Sequence, residues 1–305
     1  MPMPNPNNGS RRVFLSDVIT PMKKSLKIVL FIAIVLGLAA GIVEGLRNWD
    51  RFNPIAYWQV KYGFEPFKAP HSLPESAKTE GPEIIAHAGG AIDGAIYTNS
   101  REAFLQSIAA GCRFIGIDFK ETLDGKIFGA HSTREFRRRT GLPALGHFPP
   151  TTEEVRRAKI DGKYTPLFLT DIYEILKAHP DVYLVTDKTR DYDALLEQFP
   201  LPGQLIVETF ELPQYYRALK AGVLYPTFAG SVSELRKHGA TLTVVGPNSL
   251  EQNPELLAWA LEPGHTAMVL TTNTCSEVNL PRGTLLYSDF CRPLRGRQGD
   301  SEHKR

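Results

Sequence analysis

From Glu83 onward, short apolar runs alternate with amphipathic stretches. The runs have the length and β-branched or aromatic content of strands and cover Glu83–His87, Arg113–Phe119, Lys126–Ala130, Val182–Asp187, Gln204–Thr209, Val223–Phe228, Thr241–Val245, Ala267–Thr271 and Thr284–Tyr287. Between them, 3.6-residue periodicity predicts helices over Ser100–Ala110, Thr170–Ala178, Tyr192–Phe199, Leu212–Ala221, Ser231–His238 and Pro254–Leu261. Lys126–Ala130 reads as a hairpin partner of the strand before it. The remaining runs form a βα repeat of about eight units, which fits an α/β fold of the closed (β/α)8 TIM type better than an open sheet.

A different pattern precedes this region. From Ile28 to Val43 no residue is charged or strongly polar. With Leu26 and Leu46 the run reaches about 20 residues if Lys27 and Glu44 snorkel, near the length that spans a bilayer. Arg11, Arg12, Lys23, Lys24 and Lys27 precede it, whereas Glu44, Arg47, Asp50 and Arg51 follow. That asymmetry predicts a single-pass anchor with the N-terminus in the cytoplasm and the large domain in the periplasm or at the cell exterior. The alternative is a cleaved signal peptide, whose apolar core is usually shorter. The expected layout is a cytoplasmic segment over 1–24, a transmembrane signal-anchor helix over 25–46, a Pro- and aromatic-rich juxtamembrane linker over 47–81, the barrel over 82–294 and a polar, disordered tail over 295–305.

Composition narrows the partners. A formal charge of +2, with no basic run interleaved with aromatics, argues against nucleic acid. Cys112, Cys275 and Cys291 are an odd count without metal-ligand spacing, which speaks against a disulfide framework or a zinc knuckle and leaves a Cys275–Cys291 bridge open.

The chemistry of a barrel sits at the carboxyl ends of its strands. His87 closes the first run, Asp118 the second and Asp187 a later one; His131 follows the hairpin, and Glu208 stands near the end of the next strand. Imidazoles titrate near neutrality and can carry protons, while carboxylates hold hard cations. Taken singly, each has a plainer reading. A strand-end His can bond only to backbone, Asp187 can cap the following helix, and Glu208 can complete a metal shell or form an ion pair. Gly89, Gly90 and Gly94 can cradle a phosphate or merely allow a turn. The basic segment Arg134–Gly141 can attract an anionic group at the barrel mouth or be a solvated basic loop.

The segment "IIAHAGG…YTNSREAF…GCRFIGIDFKETLDGKIFGAHS" resembles the opening of the glycerophosphodiester phosphodiesterase family, within the superfamily that includes phosphatidylinositol-specific phospholipases C. Its strand-end His, Asn-containing helix entry, strand-end Asp, Thr-x-Asp-Gly turn and second His correspond to His87, Asn99, Asp118, Thr122–Gly125 and His131. "YLVTDKT", "TAMVLTTNT" and "TLLYSDF" are similar to later strands of the family. The resemblance implies metal-assisted hydrolysis of a glycerophosphodiester or a related lipid or polymer phosphodiester. It implies His87 and His131 as the acid–base pair, Asp118 and Asp187 as ligands of Ca²⁺ or Mg²⁺, and Asn99 and Lys188 as substrate contacts.

Three departures qualify it. The family's Glu-x-Asp stands here as Gly116-Ile117-Asp118, so one carboxylate is absent. Acid-x-Lys stands as Asp187-Lys188-Thr189, which places Lys188 on the opposite strand face unless a bulge shifts the register. His131 is followed by Ser132 rather than Asp. Two functions therefore follow: a membrane-anchored phosphodiesterase, or a degenerate barrel that binds a phosphorylated ligand or an envelope partner.

Overall fold

Along each barrel strand, successive side chains enter different cores. Ile85, Phe114, Tyr183, Val185, Ile206, Leu242, Val244, Met268, Leu285 and Tyr287 form one cluster inside the barrel. Their strand neighbours Ile84, Ile115, Leu184, Leu205, Val207, Ala267 and Leu286 belong to two outer clusters shared with the helices. This two-residue period assigns every strand residue to the interior or to the helical shell. Each fully buried Phe or Ile, such as Phe104 or Ile115, contributes about 1.5–3 kcal/mol.

The computed structural model describes residues 33–39, 69–77, 83–143, 148–271 and 283–290. The strands are β1 (Glu83–Ala86), β2 (Phe114–Glu121), β3 (Ile127–Gly129), β4 (Tyr183–Asp187), β5 (Leu205–Val207), β6 (Tyr225–Pro226), β7 (Leu242–Val245), β8 (Thr266–Val269) and β9 (Leu285–Ser288). They follow the order β6-β5-β4-β2-β1-β9-β8-β7, every pairing parallel, with β3 antiparallel to β2 as the hairpin partner. A single parallel bridge, Thr227 to Leu242, joins the two free ends and gives a nearly closed barrel of eight parallel strands.

The helices are α1 (Arg101–Ala109), α2 (Thr133–Thr140), α3 (Thr152–Arg157), α4 (Leu169–Leu176), α5 (Tyr192–Gln198), α6 (Leu212–Ala221), α7 (Val232–Lys237), α8 (Ser249–Gln252) and α9 (Pro254–Ala260). Helix α2 corrects the reading of Arg134–Gly141 as a solvated loop. The Ser132 hydroxyl accepts from the Glu135 amide at its start, and left-handed Gly141 ends it. Arg137 is buried and donates to the carbonyls of Pro143 and Phe148. Arg139 pairs with Asp161 and donates to the carbonyls of Ile96 and Tyr97. Two of the segment's arginines are therefore structural.

Residues 69–77, within the expected linker, pack on the barrel. Leu73 and Ala77 join the interior cluster, and the His71 amide donates to the Leu224 carbonyl at 2.9 Å. Residues 33–39 are helical, with Ile34, Val35, Leu36 and Leu38 exposed. Among the described residues no helix is long and apolar enough to cross a membrane. The rest of the 25–46 segment, the 1–24 segment, Cys275, Cys291 and the 295–305 tail lie outside the described residues. Cys112 is disulfide-bonded, which the odd cysteine count did not indicate.

Candidate active site

The inward-facing positions continue past the apolar layer to the carboxyl ends of the strands. Gly116, Asp118 and Lys120 follow Phe114 on β2 at two-residue steps, Asp187 follows Val185 on β4, and Glu208 follows Ile206 at the end of β5. Asp289 follows Tyr287 on β9 by the same period, as His87 follows Ile85 on β1. The site residues thus occupy the top layer of the barrel interior.

Each of the two histidines meets a carboxylate. His87 opens a single helical turn in which Ala88 is left-handed (φ 50°), and its Nδ1 lies 2.9 Å from Asp289 Oδ1. His131 Nδ1 lies 3.3 Å from Asp118 Oδ2. Engagement of Nδ1 leaves Nε2 as the nitrogen not committed to the carboxylate. The Tyr97 ring stands edge-on to both imidazoles, with centroids 4.5 Å from His87 and 6.0 Å from His131. Burial raises the Tyr97 pKa, and the negative charges of Asp289 and Asp118 raise it further.

Asn99 is buried and left-handed (φ 47°). Its carbonyl lies so close to β3 that a β-carbon on Gly129 would be 2.6 Å from it, so only glycine fits there. The Asn99 side chain receives the Asp118 amide on Oδ1 at 3.0 Å and donates from Nδ2 to Asp118 Oδ2 at 3.3 Å. Both ends of its amide orient Asp118, where the sequence suggested a substrate contact.

Lys188 reaches the site without a bulge. A two-residue period would point it outward, but its backbone is left-handed (φ 61°) and the Thr189 amide donates back to the Asp187 carbonyl at 2.8 Å, closing a tight turn. That turn carries the ammonium onto Asp118 Oδ1 and to 3.1 Å from Asp187 Oδ2. Asp118 and Asp187 are direct register partners on adjacent strands. Burial works to raise the Asp118 pKa, but the Lys188 charge and hydrogen bond outweigh it and bring it down to about 2. Burial and the neighbouring Asp118 push Asp187 up to about 6, against the pull of Lys188. Of the two carboxyls, Asp187 is the one that takes a proton first. Lys120 is also half-buried, and burial followed by the Lys188 charge lowers its pKa.

Among the described residues Glu208 has no ion-pair partner. Its carboxyl is buried and hydrogen-bonded to the Tyr287 side chain, and Oε1 has no partner. Burial, with Asp187 nearby, pushes its pKa up to about 8. The Tyr287 ring fills the space beside Gly116, where an added β-carbon would lie 3.1 Å from Cε1.

These residues do not fit a divalent cation. Hard cations take several anionic or carbonyl oxygens, yet among the described residues no group of three or more His, Cys, Asp or Glu side chains could hold one. Asp118 and Asp187 do come together as expected, but Lys188 bridges them; Gly116 supplies no ligand, and the Glu208 pKa favours the neutral acid. Tyr97, Lys120 and Asp289 were missed by the sequence reading. Asp289 carried a usable signal in its two-residue step from Tyr287, whereas nothing local marked Tyr97.

Fold and site together define a TIM-type barrel with two imidazole–carboxylate pairs at the carboxyl ends of its strands. Solved glycerophosphodiester phosphodiesterases share this architecture. The enzyme of Thermotoga maritima superposes with a TM-score of 0.56 at 19% identity, covering 69% of this chain and 96% of its own. That of Agrobacterium tumefaciens gives 0.54 at 15% identity, over 68% and 97% of the two chains. An Oleispira antarctica phosphodiesterase, solved with the product sn-glycerol-3-phosphate, gives 0.52 at 16% identity, over 68% and 93%. No family model and no curated protein matches the sequence.

Proposed function

We propose that this chain is a membrane-anchored phosphoric diester hydrolase acting outside the cytoplasm on a glycerophosphodiester or a related lipid-derived or polymer-linked diester. The observation that carries the reading is the pair of imidazoles, each held by an aspartate at Nδ1 and both bordering Tyr97. One neutral imidazole accepts a proton of the attacking water as its oxygen bonds to phosphorus. The other, protonated, delivers a proton to the leaving alkoxide as its P–O bond breaks. Asn99 and Asp289 keep the flanking carboxylates and rings in place. The shared fold with solved phosphodiesterases supports the reaction class. The charge asymmetry around residues 28–43 supports the anchor and its orientation.

A panel of 4-nitrophenyl phosphodiesters offered to the full chain in detergent tests the reaction, with nitrophenolate release expected for at least one diester. The second reading, a binding barrel without turnover, is favoured by the missing carboxylate at Gly116. It is chosen if no diester is hydrolysed while sn-glycerol-3-phosphate still binds.

A further inference from the structure

Resting on the phosphodiesterase reading, we infer that the Lys188 ammonium takes the place of a divalent cation, so that it meets the phosphoryl oxygen and hydrolysis needs no added metal. The surroundings of the two aspartates carry this inference. Its Nζ contacts Asp118 and lies 3.1 Å from Asp187, the two carboxylates that a cation would have bridged. Its backbone adopts a left-handed conformation, uncommon for a non-glycine residue, and the resulting turn is what brings the ammonium inward. The position that would supply a third carboxylate is Gly116, where Tyr287 closes the space. Lys120 brings a second, half-buried ammonium near the same two aspartates.

The charges explain why a cation would be displaced. Lys188 already places a positive charge against both Asp118 and Asp187, and a divalent ion held by the same carboxylates would be repelled by it at short range in a partly buried site. A phosphodiester monoanion meets the opposite situation. Its non-bridging oxygen can accept from Lys188, a charge-assisted hydrogen bond of the kind that stabilises developing negative charge during transfer. The ammonium keeps its protons throughout, and the proton balance of the reaction stays with the two histidines.

The test uses the full chain in detergent with bis(4-nitrophenyl) phosphate. Turnover is expected to stay within about twofold in excess EDTA, while Lys188→Ala lowers kcat about 10²-fold or more, with Mg²⁺ or Ca²⁺ failing to restore it and Lys188→Arg recovering part of the loss. Loss of wild-type activity in EDTA with recovery on adding Mg²⁺ or Ca²⁺ overturns the inference, as does full activity of a folded Lys188→Ala chain. Calorimetric titration of the wild-type chain with MnCl₂ is a readout independent of activity. No saturable binding in the millimolar range is expected, and submillimolar binding at this site, abolished by Asp118→Asn, also overturns the inference. If neither EDTA-treated nor metal-supplied protein cleaves any diester, the phosphodiesterase reading fails, and the MnCl₂ titration still decides whether a cation or Lys188 occupies the carboxylate pair.

Discussion

A β-carbon placed on Gly116 would lie 3.1 Å from Cε1 of Tyr287, so the ring stands where any longer side chain at position 116 would have to enter. Ile85 Cγ2, at 3.4 Å from the same β-carbon, closes that space from the β1 side. Tyr287 occupies that volume and hydrogen-bonds Glu208 from there.

Restoring the motif should therefore cost stability without creating a cation site. Gly116→Glu is expected to destabilise the fold by roughly 1–3 kcal/mol through overpacking, read as a lower urea midpoint, and to leave MnCl₂ titrations unchanged. A stable variant that binds Mn²⁺ would show that Tyr287 yields its space easily.

The histidine pair makes a kinetic prediction. His87→Ala and His131→Ala should each lower kcat by about 10²-fold or more with folding intact. Asp289→Asn should also lower kcat, by less, while KM changes little, because Asp289 acts on the reaction through its hold on His87. Undiminished turnover in both alanine variants would remove the proposed acid–base pair.

Glu208 makes a prediction about pH and stability. Its pKa stands at about 8 in the folded chain against 4.5 for an ordinary glutamate. The folded state therefore retains a proton that the unfolded state releases across that window, and this residue's contribution to stability falls as pH rises through it. Glu208→Gln cannot ionise. It should match the parent near pH 4.5 and exceed it towards pH 8 by a few kcal/mol, roughly 4 at most by linkage, in urea unfolding followed at several pH values.

The anchor is tested by topology. A periplasmic-type alkaline phosphatase fused after Arg305 should be active only if the barrel is exported, as the basic residues ahead of Ile28 predict. Activity of a cytoplasm-dependent reporter at the same junction would reverse the orientation.

The strand periodicity made most of the barrel and its top layer readable beforehand. His87, Asp118 and Asp187 could be placed because an apolar run ending in a polar residue leaves that residue at the mouth of the barrel. Lys188 could not, since the direction of its side chain depends on a left-handed backbone that no neighbouring glycine announces. Asn99 was singled out as a substrate contact, but its hold on Asp118 was not readable, because those hydrogen bonds span 19 residues and depend on how closely its carbonyl approaches Gly129. Helix α2 was missed although Ser132 and Glu135 have the spacing of a cap, since charge dominates its composition and hides the periodicity.

Among the described residues the ring is most thinly joined between β6 and β7, where one backbone bridge and the Thr243 hydroxyl bond to the Phe228 carbonyl close it and β6 itself is only Tyr225–Pro226. Pro226 has no amide hydrogen to offer. In the strand order this seam lies opposite β1 and β2, which carry His87 and Asp118 at their ends. The barrel therefore behaves as a curled ribbon fastened by a clasp on the side away from its chemistry. Opening the clasp slackens the curl at β6 and β7 first, leaving the neighbours β4, β2, β1 and β9 hydrogen-bonded in sequence. A circular permutant with its new termini between Pro226 and Leu242 would cut the ring at the seam where a bridge, and no full strand pairing, holds it shut.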